Sequence, residues 1–294
     1  ILENTAAYGG GIYVEDSVVV IHNNRFLKNR AINTKNSFYN DGGGIYEKNS
    51  SLELVSNHFE GNYTWGNGGV LYSEGGNHIM RANSVHNNTS RLGAGFYLID
   101  GTHQIEENVF EKNDSDLGGG ALYLSGGNHT ITGNYMGGNR SAIMNFGEGG
   151  AMRIAGGTHT IAENVITANR AREGAALSIT RGEHKLVNNL ISHNSVYDYG
   201  QGGGAISVTN SSLELQNNEF VSNTGYDGGG IYAIQSSSLR MLNNVFEANK
   251  AMRNGGGIWL SATSTVVSPD GNVAIDPEEH NLFIRNTPDD VFRE

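Results

Sequence analysis

Residues 118–139 read GGGALYLSGGNHTITGNYMGGN, and this stretch carries both motifs of the repeat that decides the fold. Its apolar residues alternate with polar ones at a period of two, which is the signature of strands with one buried face. The alternation restarts after each Gly or Asn cluster, and those residues suit corners that need positive φ. Working outward, the same order recurs along the chain. A motif of Gly, Gly or Ala, a small residue and an aliphatic begins ten times, from Gly9 to Gly255. An Asn-x-apolar-x-x-Asn motif follows each time, from Asn24/Asn29 to Asn281/Asn286. Most steps between copies are 25 or 26 residues. In GGGIYV, Ile12 and Val14 point inward and Tyr13 outward; Val19, Ile21 and Phe26 continue the inward set.

Short strands at a fixed repeat stack as a solenoid in which each coil pairs with its neighbours. We therefore expect an all-β, parallel β-helix of about ten coils with three short strands each. At about 4.8 Å per coil, the rod is on the order of 50 Å long. The two asparagines of each unit should form ladders along the rod, each amide donating to the next. No proline precedes Pro269, as central strands require. Pro269, Pro277 and Pro288 fall in the last segment, so we divide the chain into 1–262, β-helix repeats, and 263–294, an irregular final coil or C-terminal cap. The opening ILEN reads as the tail of an earlier copy.

The totals narrow the function. With 42 Gly, 37% hydrophobic residues and a net charge of −11, the chain has no basic patch for nucleic acid or an anionic membrane surface. No apolar run reaches membrane-spanning length. It has no cysteine, hence no disulfide framework and no thiolate metal site.

The motifs GGGIY, GGALY, NRFLKN and NVFEKN resemble the right-handed parallel β-helix repeats of polymorphic outer-membrane proteins and related adhesin-like surface proteins. The resemblance spans residues 1–286. It implies a right-handed, secreted or surface-displayed helix. It carries over no catalytic residue, because those motifs are structural.

In register, the position five residues before the first ladder Asn reads His78, His103, His129, His159 and His184 in five consecutive units, with Val or Leu on either side. The column shares parity with Met80, Ile105 and Ile131, so the histidines should point inward. Inward imidazoles at strand spacing form a stack rather than a convergent metal site, and we expect no resident metal.

Solenoids place function on loops and outward columns. Three connections are longer than the rest, 30–41, 140–148 and 195–202, and all lie at one corner. The outward column Tyr13, Tyr46, Tyr72, Tyr97, Tyr123 changes to Arg153, Ser178 and Ser207 in the same region, then returns as Tyr232 and Trp259. We take this coincidence as the candidate site. It would gather Phe146, Glu148, Arg153, Arg170, Arg172, Glu173, Tyr197, Asp198 and Tyr199, with Tyr72, Tyr97 and Tyr123 as a ligand track. Aromatic faces suit sugars and Arg forks suit carboxylates.

Two functions follow. The first is a non-catalytic surface β-helix that binds a polysaccharide, a surface glycan or a protein partner, without cofactor. The second is a polysaccharide lyase acting on an acidic polymer near Arg153. There Arg153 with Arg170 or Arg172 would neutralise the uronate, with Ca²⁺ as the alternative neutraliser in such a lyase, and Tyr197 or Tyr199 would act as base.

Overall fold

The computed structural model describes residues 1–32, 40–141, 146–197, 202–268, 270 and 273–294. The chain winds into a parallel β-helix with four sheets, three of ten strands and one of eleven. The glycine sheet runs from Ile12–Glu15 to Ile258–Leu260 and ends on Val291–Arg293. The histidine sheet runs from Val18–His22 to Thr265–Val267, and the phenylalanine sheet from Arg25–Leu27 to Leu282–Ile284.

The fourth sheet corrects the expectation of three strands per coil. It consists of short strands, mostly of two residues, directly after the second ladder Asn, from Thr5–Ala6 to Lys250–Ala251. Two residues carry no readable alternation. They form strands because the equivalent residues of the next coil lie in register, as in Arg30↔Tyr63 and Ala31↔Thr64.

Inward residues of the glycine, histidine and phenylalanine sheets meet in one thin core. Leu122, Leu124, Ile131 and Met136 from the opening stretch are fully buried there. Phe220, Phe246 and Phe283 stack at 4.5 and 4.7 Å. Each large apolar side chain buried this way contributes about 1.5–3 kcal/mol.

Both asparagine ladders are continuous. Asn134 Nδ2 donates to Asn164 Oδ1 at 3.0 Å and to Ile105 O at 2.8 Å, and Asn139 repeats the arrangement toward Asn169 and Phe110. The residue before every ladder Asn except Asn281 is left-handed, and it is often not glycine: Ser56, Ala82, Lys112 and Ala168 have φ between 54° and 56°. A non-glycine residue there costs about 1–2 kcal/mol. The ladder bonds offset that cost, which is why these corners tolerate many residue types but keep the asparagine.

The five histidines are buried and stacked at 4.5–5.0 Å, within 17° of parallel. The rings do not bond one another. His78 Nδ1 accepts from Leu52 N, and His159 Nδ1 from His129 N. His159 Nε2 lies 3.0 Å from Gly156 O, and His184 Nε2 2.9 Å from Arg181 O. A carbonyl only accepts, so in those two rings Nε2 carries the hydrogen. At one end of the stack the buried Glu47 carboxylate sits 3.3 Å from His78 Nε2, beside Ser73 Oγ. Glu47 occupies an inward position between Val14 and Ser73 of adjacent coils.

Segment 263–294 continues the winding. Thr265–Val267, Leu282–Ile284 and Val291–Arg293 each extend a sheet, with the 3₁₀ helix Pro277–Glu279 inserted between the first two; Pro269 lies outside the described residues. Among the described residues, no helix is long and apolar enough to cross a membrane.

Candidate functional site

Outward on the glycine sheet, Tyr13, Tyr46, Tyr72, Tyr97 and Tyr123 stack at 4.7–5.4 Å, within 19° of parallel. Neighbouring tyrosines therefore cover both faces of Tyr46, Tyr72 and Tyr97. What they offer a ligand is ring edges and hydroxyls. Burial raises Tyr46 and Tyr97 to about 12, so these phenols keep their protons at neutral pH.

Above Tyr123 the stack gives way to a polar unit. Arg153 lies over the Tyr123 ring at 5.7 Å, donates to Leu117 O at 3.2 Å, and pairs with Glu148 Oε2 at 3.1 Å. Ser178 and Ser207, next in the column, are buried. Glu148 and Glu173, from the residue just before the glycine motif, fold over them. Ser178 Oγ donates to Glu148 at 3.3 Å and Ser207 Oγ to Glu173 at 2.5 Å. The two glutamates are bridge partners on consecutive coils, so their Cα atoms are about 4.8 Å apart. The stack then resumes with Tyr232 and Trp259 at 4.7 Å.

Two glycines make room for this unit. A Cβ on Gly118 would stand 2.5 Å from Arg153 Cδ. One on Gly202 would stand 2.9 Å from Glu173 Cγ and 3.0 Å from Tyr232 Cδ1. Two columns thus change together: serine replaces tyrosine where glutamate needs the space, and glycine flanks the glutamates.

The two carboxyls have different surroundings. Burial raises the Glu173 pKa above the ordinary carboxylate value; the Ser207 hydrogen bond lowers it, the Glu148 charge raises it, and Arg172 and Arg153 lower it. Glu148 has the Arg153 guanidinium against it.

The structure therefore brings together Glu148, Arg153 and Glu173, with Arg172 close enough to act on Glu173 electrostatically. Arg170 and Tyr197 pair with each other on the adjoining corner, the guanidinium 4.7 Å above the ring. Phe146 is 66% exposed on the same edge. Asp198 and Tyr199 lie outside the described residues. In the sequence Ser178 and Ser207 show only as gaps in the aromatic column. The available signal was the column before the glycine motif, Gly118, Glu148, Glu173, Gly202, read against it.

An open depression of about 460 Å³ lies elsewhere, on the outer face of the histidine sheet, where Lys185 and Glu214 pair at 2.6 Å. Among the described residues, no group of three or more His, Cys, Asp and Glu is placed to hold one metal ion.

The family model described as "Right handed beta helix region" matches residues 1–136 and 138–287. No curated protein and no solved structure matches the chain.

Proposed function

We propose, from the premise that the chain belongs to the family of right-handed β-helix regions, that it is a non-catalytic, adhesin-like rod of a secreted or cell-surface protein and holds a glycan at the edge between the short-strand and glycine sheets. One observation carries this reading. The tyrosine stack is interrupted by the Glu148–Arg153–Glu173 unit beside the exposed Phe146 and the Arg170–Tyr197 pair. Carboxylates accept from sugar hydroxyls, and an exposed aromatic face packs on the apolar side of a sugar ring. The Arg153 guanidinium is already engaged by Glu148 and Leu117 O, which favours a hydroxyl-rich ligand over a uronate at that residue.

The full chain should bind at least one member of a panel of neutral and acidic polysaccharides in calorimetry. Phe146→Ala and Glu173→Gln should each weaken that binding about tenfold, or 1.4 kcal/mol. Binding that neither substitution changes would remove the site from this edge.

Polysaccharide cleavage is the second reading, the lyase near Arg153. It rests on Glu173, whose raised pKa beside a second carboxyl suits an acid. New reducing ends or unsaturated uronates, abolished by Glu173→Gln, would establish it.

A further inference from the structure

The outer face of the phenylalanine sheet carries two histidines outside the buried stack. His58 and Glu60 point outward from one strand, Ser84 and His86 from the next, and Glu111 from the third. In register, His58 faces Ser84, and His86 is flanked by Glu60 and Glu111. His58 Nε2 lies 3.0 Å from Glu60 Oε2, and His86 Nδ1 lies 3.3 Å from Glu111 Oε2. A carboxylate only accepts, so each of these nitrogens carries a ring hydrogen, and in the neutral imidazole the opposite nitrogen carries a lone pair.

Both lone pairs face one atom. Ser84 Oγ is 3.1 Å from His58 Nδ1 and 2.5 Å from His86 Nε2. A hydroxyl has a single hydrogen, which serves one imidazole and leaves the other lone pair against an oxygen. A cation between the rings would serve both. The carboxylates behind them are the partners that metal-ligating histidines use, since they fix the tautomer and raise the basicity of the ligating nitrogen.

We propose that His58 and His86 bind one divalent transition-metal ion of the imidazole-preferring class, Cu²⁺ or Zn²⁺, across two consecutive coils, with Ser84 Oγ and water completing its coordination. The ring centroids are 5.9 Å apart and the planes tilt by 35°. The side chains of His58 and His86 are 33% and 23% exposed, so ion and water reach them without any opening of the rod. Arg25, in register with His58 on its other side, is the nearby cation working against the ion. Cu²⁺ should bind more tightly than Zn²⁺ at nitrogen ligands. The site shares no residue with the glycan edge.

Titration of CuCl₂ and ZnCl₂ into the full, tag-free chain, followed by calorimetry, tests the assignment. One ion per chain is expected. His58→Gln and His86→Gln should each cost at least tenfold in affinity, and Glu111→Gln about 10–100-fold. Ser84→Ala should keep the site. Ser84→His, which places a third imidazole between the first two, should tighten binding at least tenfold, and this gain does not depend on any loss of folding. His22→Gln and His193→Gln should bind as the wild type does. Absence of binding, or affinities unchanged in His58→Gln, His86→Gln and Ser84→His alike, would overturn the proposal.

Discussion

Asn139→Ala is expected to destabilise the rod by about 3 kcal/mol, read as a shift of the guanidinium unfolding transition. Asn139 is fully buried in mid-ladder. Its Oδ1 accepts from Asn113 N and Asn113 Nδ2, both at 3.0 Å, and its Nδ2 donates to Phe110 O at 3.0 Å and Asn169 Oδ1 at 3.1 Å. Two of these partners find replacements: Asn113 Nδ2 still reaches Val85 O, and Asn169 Oδ1 still receives Asn139 N. The Asn113 N–H does not, whereas the Phe110 carbonyl, which the parallel ladder with Tyr135–Gly137 also engages, loses only its second donor. The buried orphan costs about 1–3 kcal/mol and the lost bond about 1 kcal/mol. Asn281→Ala, at the half-exposed end of the other ladder, has a coil on one side only and should cost about 1 kcal/mol. Equal losses at the two positions would show that the ladders do not act as buried networks.

Acid should unfold the protein through its histidine stack. Burial lowers His103 to about 2, His129 to about 4 and His159 to about 3, and it lowers His184 as well; neighbouring imidazoles depress His103 and His159 further. The unfolded residues titrate near 6.5. Below that pH the unfolded chain takes up protons that the folded chain refuses, so stability rises with pH in this range and falls as acid is added. Each histidine contributes about 1.4 kcal/mol per pH unit, or about 4 kcal/mol per unit for the three with stated values, from pH 6.5 downward until the folded values are reached. Above pH 7 the contribution is complete and flat. Urea unfolding at pH 8, 6 and 5 would measure it. His129→Leu, which places at this position the residue that Leu213 and Leu239 already provide in other coils, should reduce the slope by about 1.4 kcal/mol per pH unit. The same stability at pH 8 and pH 5 would contradict a buried neutral stack.

Both results rest on columns that the sequence alone displays. The register of His78 to His184, the two asparagine ladders and the tyrosine stack follow from repeat spacing, because in a parallel coil equal positions in the unit become neighbours at strand distance. The two-residue strands were not legible, since two residues cannot display a period. Glu47 was not legible either. A buried carboxyl is tolerated there because its own coil offers the Ser50 N–H and the next coil brings the His78 ring to it.

The candidate site divides in the same way. The sequence marked where the tyrosine column breaks, and it named Glu148, Arg153 and Glu173. Only the structure decided that the glutamates fill the break, that Arg153 is bound to Glu148, and that Arg170 turns to Tyr197. Side-chain direction across a corner depends on the room left by residues of adjacent coils, here Gly118, Ser178, Gly202 and Ser207. The convergence of His58 and His86 on Ser84 has the same origin. Repetition along the chain determined the rod, its core and its ladders; contacts between unlike residues of neighbouring coils, which no period encodes, decided its surface chemistry.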